Sequence, residues 1–160
     1  MRVVLNTSPL ILLTKIGRVN LLNQLYDEVI IPDAVTKEIK VKSSRETLEV
    51  EMLLREGRFR NQRASQSFLQ KIPADLGLGE REAIALGLEM AADLLILDDH
   101  RGRQVARGWN ISTAGTIGVL VEDRDRGLIP SIRNELDHLI EAGMWVGEMF
   151  YHRLLREFNE

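Results

Sequence analysis

The sequence predicts an α/β fold built on a mainly parallel sheet. Short β-branched or apolar runs alternate with amphipathic helical stretches along most of the chain. The run Leu94-Leu95-Ile96-Leu97 is apolar at every position, as a strand covered on both faces must be. At least three elements carry polar residues at the places where a parallel sheet would gather them on one edge.

In order, Val3-Val4-Leu5 is the first strand and ends at Asn6. Thr7 and Ser8 are good N-caps, Pro9 suits a first helical turn, and Leu10 to Gly17 reads as a helix. Val19 to Tyr26 is a short amphipathic helix. Glu28-Val29-Ile30-Ile31, stopped by Pro32, is the second strand, and a helix carrying Glu38 follows it. Thr47 to Gly57 predicts a helix with Leu48 and Met52 inward, together with Leu53 or Leu54. Arg58-Phe59-Arg60-Asn61-Gln62-Arg63 reads as a basic arm with one aromatic residue. From Lys37 to Lys71 nine basic residues face five acidic ones, in a chain of net charge −3. That imbalance suits either a solvated face or contacts from Arg58, Arg60 and Arg63 to phosphates, with Phe59 stacking on an unpaired base.

Ser65 to Ile72 predicts a further short helix, and Glu80 to Leu88 one with small residues on its packed side. Leu94 to Leu97 is the next strand and ends at Asp98-Asp99. A helix over Arg101 to Arg107, a strand over Trp109 to Thr113 with Ile111 buried, and a helix over Thr116 to Val121 complete the alternation. Two more helices follow, one with Ile132, Leu136, Leu139 and Ile140 on one face, and one striped by Phe150, Tyr151, Leu154, Leu155 and Phe158. The expectation is one domain over residues 1–160, with a core over about 1–125 and C-terminal helices over 126–160 that cover the sheet or form a dimer face.

The chain is 44% hydrophobic and 28% charged, the composition of an ordinary globular protein. It has no cysteine, which excludes disulfides, thiolate zinc sites and cysteine nucleophiles and suits a reducing cytoplasm. No apolar run is long enough for a membrane span, and the opening residues are too short for a signal peptide, so a cytoplasmic location is expected.

Asn6, Glu38, Glu80, Glu82, Asp98 and Asp99 are the candidates for chemistry. Gathered carboxylates repel and raise one another's pKa, and a hard divalent cation with oxygen ligands relieves that repulsion. Such an ion lowers the pKa of a bound water and neutralises charge on a phosphoryl group under attack. Each acid also has a structural reading: Glu80 and Glu82 favour a helix dipole, Asp98 or Asp99 caps the next helix, and Glu38 pairs with lysine on a surface.

Together, Val3 to Ile11, Ile30-Ile31-Pro32 with Glu38, Gly79 to Leu86, and Leu94 to Asp99 resemble the PIN-domain nucleases in order and spacing. The likeness is to a prokaryotic toxin–antitoxin (VapC-like) branch. It runs over about residues 1–125, and Arg126 to Pro130 with the helices after it look like the same branch. The resemblance implies an α/β/α sandwich and hydrolysis of RNA phosphodiesters with Mg²⁺ or Mn²⁺. It implies Glu38, Glu82 and Asp99 as catalytic residues, and Asn6, Glu80, Glu82, Asp98 and Asp99 around the metal. Ser8 matches the branch's Ser/Thr position and would contact substrate. A homodimer held inactive by a small antitoxin protein is implied as well. The departure is Asn6, where the family carries aspartate. Removing one unit charge at about 4 Å and an effective dielectric near 20 forfeits about 4 kcal/mol of attraction. A catalytically weakened or inactive nucleic-acid- or partner-binding module is therefore the alternative. A nuclease acting on DNA flaps is a third reading, because paired acids such as Glu80 and Glu82 recur in structure-specific relatives.

Overall fold

A computed structural model describes residues 1–160. Five strands, β1 (Arg2–Leu5), β2 (Glu28–Pro32), β3 (Arg60–Gln62), β4 (Leu94–Ile96) and β5 (Thr113–Ala114), form one sheet in the order β3-β2-β1-β4-β5. Every pairing is parallel. Between the strands run α1 (Thr7–Lys15), a 3₁₀ turn with α2 (Leu22–Leu25), α3 (Asp33–Lys42), α4 (Ser44–Arg55), α5 (Gln66–Leu69), α6 (Leu78–Glu89) and α7 (His100–Gly108). After β5 come α8 (Thr116–Asp125), α9 (Ile132–Glu141) and α10 (Glu148–Glu157). No helix is long and apolar enough to cross a membrane.

Strand side chains alternate between the two faces of the sheet, and each face has its own core. Val3, Leu5, Val29, Ile31 and Ile96 point into a cluster shared with α1, α3, α4 and α8 to α10. Val4, Ile30, Leu95 and Leu97 point the other way, onto Ala83, Ile84 and Leu86 of α6 and Ala106 of α7. The result is a three-layer α/β/α sandwich in which β1 is central and Val3, Val4 and Leu5 are wholly buried. Ile132, Leu136 and Leu139 of α9 and Leu154 and Leu155 of α10 belong to the first core, so the C-terminal helices cover the sheet.

Several local expectations are corrected. Asn6, not Thr7 or Ser8, is the N-cap of α1, and its side chain makes no capping bond. α4 begins at Ser44 and buries Glu46, Thr47, Val50 and Leu53, which leaves Leu48 and Met52 on its solvent face. Leu53 is buried as expected, but the buried stripe lies one step around the helix from Leu48 and Met52. Ile140 is likewise exposed. The basic arm is an edge strand, because Arg60, Asn61 and Gln62 pair with Ile30, Ile31 and Pro32. Phe59 is only 2% exposed and packs in the first core, so it offers no ring to a base. The strand expected over Trp109 to Thr113 shrinks to Thr113–Ala114, although Ile111 is buried as its position predicts.

One buried acid opposes folding at high pH. Asp123 of α8 is fully buried, and neither carboxyl oxygen has a protein hydrogen-bond partner. Burial pushes its pKa up to about 7, with Glu135 and Glu122 adding to the shift while Arg18 and Arg126 oppose it. The folded state therefore holds a proton that the unfolded chain releases near pH 4. That contribution is complete below the unfolded pKa and is lost as pH rises through the folded value. Asp123→Asn should stabilise the fold by about 1–3 kcal/mol at pH 8, and the gain should vanish below about pH 4. Denaturant titrations at the two pH values measure the difference.

Candidate active site

The strand order places the site. From β1 the chain winds outward through β2 to β3, then returns to lay β4 against the other side of β1. Neighbouring crossovers diverge there and leave a crevice at the carboxyl ends of the strands. Asn6 follows β1 and its N–H donates to the Ile96 carbonyl of β4 at 2.9 Å. Asp98 lies just past β4. Asn6, Ser8, Glu38, Glu80 and Asp98 line one pocket of about 410 Å³, with Lys42 at its edge.

Backbone amides and hydroxyls hold two of the carboxylates. Glu38 Oε1 accepts the Gly79 N–H at 2.8 Å, and Oε2 accepts the Thr7 hydroxyl at 2.7 Å. Lys42, one turn along α3, stands 3.7 Å from Oε2. A Cβ on Gly79 would lie 2.8 Å from Glu38 Oε1, so the carboxylate keeps this seat against the Gly79 N–H only with glycine there. Asp98 Oδ1 accepts the Thr116 N–H and Oδ2 its hydroxyl, both at 2.7 Å, and the Ser8 hydroxyl donates to Oδ2 at 3.2 Å. A Cβ on Gly115 would lie 2.9 Å from Asp98 Oδ1, the same device on the other side of the crevice. Thr7, Thr116, Lys42 and these two glycines were missed in the sequence, where each reads as a cap, turn or surface residue. Only the pairing of a small residue with the start of a helix hinted at them.

Glu80 has no such partner. Burial, then the charges of Asp99 and Glu38, raises its pKa above the ordinary carboxylate value, and Lys42 only partly offsets this. Asn6 is buried, and its Oδ1 accepts no hydrogen bond from the protein. A half-buried carboxylate among like charges beside a free amide oxygen is a donor set suited to a cation. The donors are hard oxygens, which fits a divalent ion that keeps part of its water shell. No three acidic or imidazole groups converge closely enough to hold an ion by themselves.

The remaining candidates lie elsewhere. Glu82, expected beside the metal, stands two residues beyond Glu80, about 200° around the helix, and lines the adjoining cavity with Glu38 and Lys42 rather than the pocket that holds Glu80. Its Oε1 accepts the Ala34 N–H at 2.7 Å and its Oε2 the Ala64 N–H at 3.2 Å, which ties α6 to the start of α3 and the end of β3. Asp99 is exposed and caps α7 through the Gly102 N–H at 2.6 Å, reaching the pocket only through its charge on Glu80. Arg60 pairs with Glu28 at 2.9 Å toward the amino end of the sheet, and Arg58 donates to the Asn20 carbonyl there. Arg63, at the other end of β3, lies 3.2 Å from Asp33.

A family model described as DUF3368, a PIN domain, matches residues 2–160. The chain belongs to the PIN-domain family. Several solved structures share its fold, two of them as follows. One is a PilT N-terminus domain protein from the hyperthermophilic archaeon Sulfolobus solfataricus P2, 18% identical over 76% of this chain and 92% of that one, with a TM-score of 0.52. The other is VapBC2 from Rickettsia felis, bound to a DNA fragment from its promoter, 12% identical over 72% of this chain and 98% of that one, with a TM-score of 0.54. At these identities the likeness is one of fold. No curated protein matches the sequence.

The two glutamates of α6 should separate experimentally. Glu82→Gln places an NH₂ against a backbone N–H and should cost about 1–3 kcal/mol of stability. Glu80→Gln removes a charge from a like-charged pocket and should leave stability equal or higher. Chemical denaturation of both variants at pH 7 decides it.

Proposed function

We propose that this chain is a divalent-metal-dependent ribonuclease that hydrolyses RNA phosphodiester bonds and serves as the toxin component of a toxin–antitoxin pair. The observation that carries the reading is the convergence of Asn6, Glu38, Glu80 and Asp98 on one crevice of a PIN-domain sheet. Glu80, Asp98 and the Asn6 amide oxygen would hold Mg²⁺ or Mn²⁺, with Asp99 adding negative charge from the rim. When bound, such an ion lowers the pKa of a water and offsets charge on the phosphate under attack. Glu38, locked by the Gly79 amide and the Thr7 hydroxyl, orients the attacking water and draws on its proton. The water oxygen bonds to phosphorus, the P–O bond to the departing nucleoside breaks, and that oxygen leaves with a proton. Ser8 and Lys42, at the pocket wall, contact the phosphate.

A second reading rests on Asn6, which supplies a carbonyl oxygen where a carboxylate would supply a charge. On that reading the chain binds nucleic acid or a partner without turnover. A small antitoxin protein as partner is supported by the VapBC2 complex among the similar folds and by an apolar groove beside Asp98. Trp145 and Met149, almost fully exposed, line that groove. The same surface supports assembly as a homodimer.

Cleavage of single-stranded RNA in Mn²⁺ tests the reading, with branched DNA as the competing substrate. The wild type should cut RNA, Glu38→Gln and Glu80→Gln should lose at least about a hundredfold in rate, and Asn6→Asp should bind Mn²⁺ more tightly. A wild type and an Asn6→Asp variant that both leave RNA intact overturn hydrolysis and leave the binding module.

A further inference from the structure

A second cavity of about 480 Å³ opens from the acidic pocket across Glu38 and Lys42, which line both. It lies between α3 and α6, and its size is within the range of small-ligand pockets, about 300–1,000 Å³. Lys37, Lys42 and Arg63 project from its lining, which also holds Arg81, bonded to the Leu69 and Ile72 carbonyls, and the carboxylates of Asp33, Glu38 and Glu82. Lys37 and Arg63 share one carboxylate, Asp33, at 3.0 and 3.2 Å, and Lys42 pairs with Glu38 at 3.7 Å. All three basic side chains are more than 60% exposed, so they meet an arriving anion at little desolvation cost. Among them stand two large apolar side chains with nothing over them, Val41 at 87% and Leu78 at 73% exposed.

We propose that this groove is the subsite for an unpaired nucleotide of a single-stranded nucleic acid next to the position of cleavage. The inference rests on the nuclease reading for the identity of the neighbouring pocket. A nucleotide has the two chemistries that the groove offers: a flat apolar base face and a phosphate charge. Val41 and Leu78 cover the base, as apolar side chains do for bases removed from a stack. Lys37 and Arg63 take the phosphate on the far side of that base, and Lys42 stands where the groove meets the acidic pocket. Those carboxylates repel a polyanion, so affinity must come from cations beside them, and Lys37, Lys42 and Arg63 line the cavity that shares Glu38 and Lys42 with the acidic pocket. In a duplex the base faces are stacked and the apolar pair has nothing to cover, so the groove selects single strands. Arg63 is thus kept as a substrate contact from the basic segment, while Arg58 and Arg60 stand at the opposite end of the strand.

The test is fluorescence anisotropy of a short labelled single-stranded RNA of mixed sequence and of its duplex, with the full chain in EDTA so that binding is read without cleavage. Lys37→Gln with Arg63→Gln should weaken single-strand binding about tenfold or more and reduce the salt slope by about 0.7, the single-strand value for one phosphate contact. Lys37→Arg with Arg63→Lys should restore both. Leu78→Ser, at an exposed site, should weaken the single strand about fivefold and leave the duplex unchanged. Arg107→Gln, on α7, should bind as the wild type does. Groove variants that match the wild type in affinity and salt slope overturn the subsite, and so does a wild type that binds no single strand. If those unaffected variants come from a chain that cuts RNA in Mn²⁺, the nuclease reading stands without the subsite. If binding weakens as expected in a chain that cuts nothing, the subsite stands and hydrolysis falls.

Discussion

Parallel pairing of β1 with β4, Val3 against Leu94 through Leu5 against Ile96, joins strands separated by some ninety residues and leaves their carboxyl ends side by side. Everything at the site follows from that junction. The residues just past the two strands, Asn6 and Asp98, must share a crevice. The helices that return from them, α1 and α7, start at its walls. Both cores depend on it too, since β1 buries Val3 and Leu5 on one face and Val4 on the other. A substitution that loosened β1 from β4 would open the core and scatter the carboxylates together.

The crevice holds its charges unevenly. Glu38 and Asp98 are each satisfied by a backbone N–H and a hydroxyl, and a glycine makes room for each. Glu80 and Asn6 are left with unspent capacity: one carboxylate with raised proton affinity, one amide oxygen without a donor. Rigid acids beside unsatisfied oxygens make a site that is pre-organised yet electrostatically incomplete. Such a site gains most from a cation, because the ion replaces repulsion with coordination. The asymmetry also gives Asn6 a physical role. A carboxylate at that position would add a further negative charge to a pocket that already raises the pKa of Glu80.

Much of the fold was legible in the residues. The all-apolar run of β4, the β-branched run of β2 and the alternation with helices specify a parallel sheet covered on both sides, because only that arrangement buries such strands. Errors came where a short element lacks a buried pattern of its own. The segment around Arg60 is polar on both faces and reads as a loop. It becomes a strand because β2 presents an unpaired edge to it. Leu48 and Met52 misled because an amphipathic helix with apolar residues on both sides does not reveal which stripe its neighbours will cover.

The candidate site divides the same way. Taken alone, the sequence determined which elements carry acids and that Asn6, Glu38 and the Asp98-Asp99 pair follow strands at their carboxyl ends, since strand and helix order are local properties. Tertiary structure alone decided which acid of each pair enters the crevice. Glu80 and Glu82 are two residues apart on a helix and so point to opposite sides, and the rotation of α6 about its axis is set by the packing of Ala83, Ile84 and Leu86 against the sheet. That packing turns Glu80 toward Asn6 and leaves Glu82 to accept two distant backbone amides, an outcome that no spacing along the chain encodes.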